Sequence, residues 1–351
     1  MMRSRGIIVG LACALATVLA VAGMAFAQDD ARTKQLRLLC AQLSGDLTEP
    51  GGLAAFKRCL TQDPIAATKQ NVFGTPAAVQ PPAGHGRNTR SAVASAVYRF
   101  QVAGSTSVYV LASDAKLWRA TLDGKDAKVV DPAVTSFYAL DGTSFYALDP
   151  QGNLWREDGD GARQKVDATV ARFQPLDGTT VYVLGTDGRL WRETGDQSNR
   201  SLVDAEVAAF RAVDATIVYV KGREGKLWRE NGSNVDRRQV GSNVGDFRIV
   251  GSSVYLTGSD GGLWRKNGED APEQVDTAVS AFEPVDGRFV YVLSKDGRLW
   301  AENGTAKTRS LVDSDLLQQP GVTAIQAVDA ERVYVLGSDH RLWSETMPPA
   351  R

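Results

Sequence analysis

Acidic residues recur at two fixed points along this 351-residue sequence, and they are its best candidates for binding chemistry. In most repeats one Asp or Glu stands in a short turn, and a second Asp stands at the connection to the next repeat. Chain direction predicts that both sets lie at one end of the folded repeats and form one acidic face. Such a face suits a cation or a basic partner, although Asp also caps its own backbone in tight turns without any ligand. The candidate ligand-binding residues on this face are Asp167, Asp187, Asp204, Asp260, Asp276 and Asp296.

The sequence contains few of the residue types and spacings that metal sites and catalytic sites require. No repeat has the dense D-x-D-x-D spacing of a calcium loop, so we predict no metal site. The only histidines are His85 and His340, so a Ser-His-Asp triad or a histidine metal cluster lacks its parts. We predict that the protein is not an enzyme and needs no cofactor. A catalytic group would be sought where the repeat is broken, at Gln151, at Gly241 or in the insertion 314–321.

The acidic turns belong to a longer repeat that contains tryptophan. The segment VYVLGTDGRLWRE runs from Val181 to Glu193, and near-copies of it occur six more times. Successive Trp residues are 36 or 37 positions apart, except for a last spacing of 43, and this period predicts a solenoid or a propeller. We expect the indoles to pack the repeats together; the alternative is a set of aromatic platforms for sugars. The repeat tryptophans are Trp118, Trp155, Trp191, Trp228, Trp264, Trp300 and Trp343.

The pattern inside one copy decides between the two architectures. Residues 164–193 contain four short strand-like segments separated by Asp and Gly turns, and Asp-Gly between apolar segments favours a tight hairpin. The segment VYVL is apolar at consecutive positions, as in a strand that is covered on both faces. After Trp343 the last copy lacks its fourth strand, and the matching segment, Ser91–Val93, precedes the first copy. We therefore predict an all-β, seven-bladed β-propeller whose N-terminal strand closes the last four-stranded blade.

An Arg follows the repeat Trp in five copies, and a Glu usually follows it. Strand alternation places these two side chains on opposite faces of their strand, which predicts that Arg of one blade reaches Glu of its neighbour. The alternative is a solvated rim, where such exposed pairs contribute only ~0.2–1 kcal/mol each.

The region before the repeats divides into three segments. A basic start, an apolar stretch and the sequence Ala25-Phe26-Ala27 predict a cleaved signal peptide. Two amphipathic segments then predict a helical hairpin whose apolar stripes carry Cys40 and Cys59, and we expect these to form a disulfide. The predicted boundaries are 1–27 for the signal peptide, 28–62 for the hairpin, 63–89 for a flexible linker, 90–346 for the propeller and 347–351 for a tail.

Charge and hydropathy limit the partners. Removal of residues 1–27 leaves 38 basic and 41 acidic residues, a net charge of −3, which offers no electrostatic surface for nucleic acid. No later stretch is long and apolar enough to span a bilayer, so we expect no integral membrane association. We expect an exported monomer, periplasmic or extracellular.

The stretches VYVLGTDGRLWRE, VYLTGSDGGLWRK and VYVLGSDHRLWSE resemble the tectonin-type β-propeller repeat and the repeats of bacterial seven-bladed propeller lectins. The shared features, over residues 90–345, are an apolar strand, a G-x-D-x turn and the pair L-W. Tectonin repeats commonly carry a second Trp where this chain has Phe. The resemblance implies a bacterial host and binding of surface glycans such as lipopolysaccharide. It carries over no sugar-contacting residue, because the matched positions are those that build the fold.

Three functions are therefore weighed. The first is a lectin-like recognition propeller for surface glycans, and the second is a protein-interaction scaffold that binds a surface protein without enzymatic activity. The third is an enzyme that uses a carboxylate in the propeller channel.

Overall fold

The computed structural model describes residue 72 and residues 89–159, 163–313 and 322–346. The predicted signal peptide, the hairpin with Cys40 and Cys59, most of the linker, the insertion and the tail lie outside these ranges. Within them no helix has the length and apolar character needed to cross a membrane.

The described residues form 28 β-strands and one short 3-10 turn at Ala306–Thr308. In chain order the strands are β1 Thr89–Ala94, β2 Val97–Ala103, β3 Ser107–Ala112, β4 Leu117–Thr121, β5 Lys128–Asp131, β6 Ser136–Ala139, β7 Ser144–Leu148, β8 Leu154–Asp158, β9 Gln164–Asp167, β10 Val170–Pro175, β11 Thr180–Gly185, β12 Leu190–Thr194, β13 Asp196–Asp204, β14 Val207–Ala212, β15 Ile217–Gly222, β16 Leu227–Asn231, β17 Arg237–Gly241, β18 Val244–Val250, β19 Ser253–Gly258, β20 Leu263–Asn267, β21 Glu273–Asp276, β22 Val279–Pro284, β23 Phe289–Ser294, β24 Leu299–Asn303, β25 Arg309–Asp313, β26 Val322–Ala327, β27 Arg332–Gly337 and β28 Leu342–Thr346.

These strands make seven four-stranded antiparallel sheets, and the chain is a seven-bladed β-propeller. Blades 1 to 6 are consecutive along the chain, from β2–β5 to β22–β25, with the first strand of each innermost and the fourth outermost. Blade 7 combines β26, β27 and β28 with β1, the first strand of the chain. Within it Ala92 lies opposite Trp343 and Ala94 lies opposite Leu342. The predicted fold and its closure by the N-terminal strand are confirmed.

The second strand of each blade forms the core, as its continuous apolar pattern predicts. In β11, Val181, Tyr182 and Val183 are fully buried. The tyrosine also ties its blade to the next one, because its hydroxyl donates a hydrogen bond to a backbone carbonyl there. The Tyr182 Oη lies 3.1 Å from the Asp214 carbonyl oxygen, and the Tyr334 Oη lies 2.9 Å from that of Leu122, across the closure between blades 7 and 1.

The expectation that tryptophans form the main wedges between blades needs correction. Only Trp343 is buried, and the other six indoles are half-buried. Each Trp lies on the third strand and pairs with the outermost strand, as Trp191 does with Leu202, so it sits where the blades diverge. Tyrosine and leucine side chains nearer the axis make the blade-to-blade core.

Replacing Tyr334 by Phe tests the bond across the closure. We expect a loss of about 1 kcal/mol in the free energy of unfolding, since the Leu122 carbonyl loses its donor. Tyr291→Phe is the matched control, because the Tyr291 Oη is buried with no hydrogen-bond partner among the described residues. Denaturant unfolding should leave the control at or above wild-type stability; equal losses in both variants would contradict the assignment.

Candidate functional site

A cluster of four side chains recurs at the seams between blades, and blade 4 shows its geometry. Arg237, on the outermost strand, lies over the indole of Trp228 with its guanidinium carbon 4.4 Å from the ring centroid. Its Nη1 atom is 3.7 Å from the Glu230 Oε1 on the same blade and 3.6 Å from the Asp204 Oδ2 on blade 3. Glu230 is fully buried. We call this group of Asp, Glu, Arg and Trp the seam cluster.

The seam cluster is present at five of the seven seams, with the structure describing Arg90, Glu345 and Trp343 of the fifth. In each, the Arg lies over the Trp ring at 4.1–4.5 Å and faces a buried or half-buried Glu. The other members are Asp131, Glu157, Arg163 and Trp155; Asp167, Glu193, Arg200 and Trp191; and Asp276, Glu302, Arg309 and Trp300.

Four of these glutamates have raised pKa values. The pKa of Glu230 is raised to about 8, first by burial and then by the neighbouring Asp204 carboxyl group, while Arg237 acts in the opposite direction. Both Glu230 carboxyl oxygens lack any hydrogen-bond donor among the described residues. The raised pKa favours the protonated form of Glu230 at neutral pH, because burial penalises its charged form. Burial and the neighbouring Asp raise the pKa in the same direction at Glu157, Glu193 and Glu302.

The six candidate residues of the acidic face fall into two groups. Asp167, Asp204 and Asp276 are buried in seam clusters, at 3%, 7% and 7% exposure, so they do not contribute to an exposed face. The other three are exposed and cap their own turns: backbone amides donate to the Oδ1 atoms of Asp187, Asp260 and Asp296. Among the described residues no three His, Cys, Asp or Glu side chains are grouped to hold a metal ion. Ligand binding by the exposed aspartates stays a prediction.

Among the described residues, the arginine that follows the repeat Trp makes no ion pair with the repeat glutamate of a neighbouring blade, so that prediction is wrong. Arg119 Nη1 donates to the Gly142 carbonyl oxygen of the next blade at 2.5 Å, and Arg265 Nη1 donates to that of Arg288 at 3.3 Å. The glutamate is instead met by the outermost-strand arginine of its own blade. This pairing could have been found in the sequence, because the repeat Glu and the outermost-strand Arg stand six or seven positions apart in four copies.

At the two remaining seams all three charged members of the cluster are replaced together. The register with Leu342 puts Ala94 in the Asp position between blades 7 and 1, and Ala120 and Ala127 take the Glu and Arg positions. Between blades 4 and 5 the same three positions hold Gly241, Lys266 and Pro272. The cluster therefore behaves as one unit that is kept or lost as a whole.

The alanine seam is apolar and holds a residue from outside the repeats. Ala94 and Ala120 lie in a core cluster with Val72, which is only 4% exposed. The Val72 carbonyl oxygen accepts a hydrogen bond from the Ser95 amide at 2.9 Å. An apolar seam is thus a workable alternative to the charged one in this fold.

The innermost strands present a second special site, at the position that follows the Phe or Ile of each blade. In three blades this position is Gln, whose side chain forms hydrogen bonds with the backbone of the neighbouring inner strand. Gln326 Oε1 accepts from the Val102 amide at 2.9 Å, and its Nε2 donates to the Val102 carbonyl at 3.3 Å. Gln101 and Gln174 make the same pair of bonds to Ala139 and Ala212.

In the other four blades this position holds Tyr138, Arg211, Arg248 and Glu283. Arg248 Nη1 lies 2.7 Å from the Asp246 Oδ2, and its Nε lies 3.6 Å from the Glu283 Oε2 of the next blade. With Arg99 from blade 1, we call these side chains the channel cluster: Arg99, Tyr138, Arg211, Asp246, Arg248 and Glu283.

Arg211 is the least satisfied member of the channel cluster. It is half-buried and has no hydrogen bond or ion pair among the described residues. Its pKa is lowered by burial and then by the charge of Arg248, while Asp246, Glu283 and Tyr138 act the other way. Because Tyr138 belongs to blade 2 and Arg211 to blade 4, this interaction runs across the propeller axis.

A polar groove of about 380 Å³ lies between blades 5 and 6, away from the channel. It is lined by backbone turns and by Arg265, Glu273, Arg288 and Asn303. Arg265 is only 7% exposed and pairs with Glu273, their Nη2 and Oε2 atoms being 2.5 Å apart. Glu273, the one acidic residue among the described residues of this groove, is therefore already paired within the chain.

Comparison with known proteins adds the fold class. No family model and no curated protein matches the chain. YCF48 from Cyanidioschyzon merolae is 11% identical, with a TM-score of 0.57 over 75% of this chain and 99% of that chain. The Cps50 (Swd1) propeller domain from Myceliophteria thermophila is 9% identical, with a TM-score of 0.57 over 74% and 100%. The likeness is one of fold.

PorZ from Porphyromonas gingivalis is 16% identical, with a TM-score of 0.53 over 76% of this chain. The match spans 40% of the PorZ chain. The resemblance to tectonin-type repeats stays a prediction, because no family model supports it.

Proposed function

We propose that this chain is an exported, non-catalytic propeller that binds a protein partner. The observation that carries the proposal is where the repeated polar side chains go. Among the described residues, Glu and Arg of five seams and Asp of four are used to hold blades together, and the five indoles are covered by guanidinium groups. Specific recognition is then left to residues that differ between blades, which gather on the innermost strands and in the exposed turns.

The propeller neighbours and the signal-peptide pattern support this proposal. One solved structure similar to the chain is described as YCF48 bound to D1 peptide, at 10% identity and a TM-score of 0.57. PorZ is described as an essential bacterial surface component of a secretion system. The predicted signal peptide at residues 1–27 supports export, with the periplasm or the extracellular space as the destination.

The covered indoles argue against a lectin built on the repeat tryptophans. A sugar stacks on an aromatic face, and five of these faces already carry an arginine at 4.1–4.5 Å. Trp118 and Trp264 stand in the two seams that lack the arginine, so an indole-based sugar site would have to use them. We therefore favour a protein partner over the surface glycan that the tectonin resemblance implies.

The test compares the two ligand classes on the full chain. We expect cross-linking in the envelope of the host to join the propeller to one protein at a fixed stoichiometry, and a glycan array to show no binding that free sugar competes away. Trp264→Ala is the control for the array. Sugar-competed binding that this variant loses would contradict the proposal and restore the lectin.

A further inference from the structure

We propose that the arginines of the channel cluster bind a carboxylate group presented by a partner peptide at the propeller axis. This inference rests on the proposed protein-binding function and names the chemistry of the bound group. It is carried by the side chains on the innermost strands, which break the repeat and include an arginine without an ion pair among the described residues.

The charge on these strands is unbalanced. Strands β2, β6, β10, β14, β18, β22 and β26 carry four Arg, two acidic residues and no Lys, a net charge of +2, although the whole chain has a net charge of −1. Both acidic residues, Asp246 and Glu283, already lie against Arg248. The remaining arginines, Arg99, Arg172 and Arg211, have no carboxylate partner among the described residues.

Arg211 is half-buried, where an unpaired charge costs more than at an exposed site. Arg99 is exposed, and among the described residues its Nη1 donates to the Ser136 hydroxyl, at 2.8 Å, while its guanidinium lies 5.7 Å from the Phe137 ring centroid. Burial lowers the pKa of Arg211. A bound anion would pair with the arginine charge that has no partner in the described part of the fold. The three Gln side chains offer no such site, because their amide groups already form hydrogen bonds with neighbouring strands.

The neighbours of Arg211 indicate which anion fits. Asp246 and Glu283 act on Arg211 electrostatically, so each additional negative charge on a ligand meets their repulsion. A singly charged carboxylate can form two hydrogen bonds with the planar guanidinium group, whose shape it matches. Because it carries only one negative charge, Asp246 and Glu283 repel it less than a more highly charged anion. A phosphate dianion would face the same two carboxylates with twice the charge.

The first experiment selects ligands without assuming a sequence. A display library of random twelve-residue peptides is panned against the immobilised full-length chain and against its Arg211→Gln variant. We expect Asp or Glu to be enriched at one fixed position on the wild type, and that enrichment to be lost on the variant. Arg189→Gln is the matched control, because Arg189 is exposed in a turn with only Asp187 near it, at 3.8 Å.

The second experiment measures the contact with the best selected peptide. Its affinity should fall about tenfold or more for Arg211→Gln, as expected for a hydrogen-bonded charge pair, and remain unchanged for Arg189→Gln. Replacing the acidic residue of the peptide by its amide should cost the same on wild type and add nothing on Arg211→Gln. Additive losses, or peptides selected without an acidic position, would overturn the inference.

A uronate-containing oligosaccharide is tested beside the peptide. If it alone loses affinity on Arg211→Gln, the channel binds an acidic sugar and the peptide assignment is wrong. Recovery of the cross-linked partner by Arg211→Gln at wild-type yield would leave the proposed function standing and reject the channel site. Failure of the wild type to cross-link any partner would instead reject the proposed function.

Discussion

Replacing Arg309 by Met is expected to lower the free energy of unfolding by about 2–3 kcal/mol. Arg309 Nη1 lies 3.2 Å from the Asp276 Oδ2 and 3.7 Å from the Glu302 Oε1, and Glu302 is fully buried. Removing one partner of a buried charged group leaves the others uncompensated, which costs about 3–5 kcal/mol when burial is complete. The Arg309 side chain is 32% exposed, so solvent screening reduces that figure. Denaturant unfolding at pH 7 provides the measurement.

A sharper test is a triple variant, which we expect to have a higher free energy of unfolding than Arg309→Met. Changing Asp276, Glu302 and Arg309 together to Ala copies the seam between blades 7 and 1, where the chain itself has Ala94, Ala120 and Ala127. All buried charge then leaves at once, and we expect the triple variant to regain at least half of the loss caused by Arg309→Met. A triple variant whose loss equals or exceeds the sum of its three single changes would show that the cluster is not a unit. Arg298→Met, in an exposed turn, is the control and should be neutral.

The ring and its closure could be predicted from the sequence because both follow from local patterns. Seven copies of one strand pattern, with the missing fourth strand found at Ser91–Val93, determine the number of blades and their closure. The position of the turn aspartates was predictable for the same reason, since Asp187 caps a turn within its own copy. These features need only one repeat, or the two ends of the array, to be seen.

The seam cluster was not predicted, because it joins residues from two copies. Asp204 and Arg237 are separated by 33 positions and meet only once adjacent blades are packed. From strand alternation alone, Arg229 and Glu230 look like partners of neighbouring blades. The joint loss of Asp, Glu and Arg at two seams is the signal in the sequence that could have revealed it.

The channel cluster marks a different limit of sequence reasoning. The position after the inner-strand Phe varies among Gln, Tyr, Arg and Glu, and this variation is visible in the sequence. That Tyr138 of blade 2 influences the pKa of Arg211 in blade 4 follows only from closing the ring. Repeated residues thus specify the fold. The residues that differ between blades at one repeat position specify which side chains line the axis.

Raising the pH from 5 to 9 is expected to destabilise the propeller through its seam clusters. The pKa of Glu230 and that of Glu302 are each raised from 4.5 to about 8 in the folded chain. Between these values the unfolded chain holds fewer protons than the folded one, so the free energy of unfolding falls as the pH rises. The stability is fully present below the unfolded pKa near 4.5 and is lost by the folded pKa near 8. The fall is at most about 1.4 kcal/mol per pH unit for each glutamate.

The double variant Glu230→Gln with Glu302→Gln isolates this effect, because an amide resembles the protonated carboxyl group and does not titrate. Unfolding curves at pH 5 should place the double variant within about 1 kcal/mol of wild type, since both then present neutral groups. At pH 8 to 9 the double variant should be the more stable protein. Glu206→Gln, at an exposed site, should follow wild type throughout. A constant difference between double variant and wild type across this range would mean that the buried glutamates do not titrate there, which would contradict their raised pKa values.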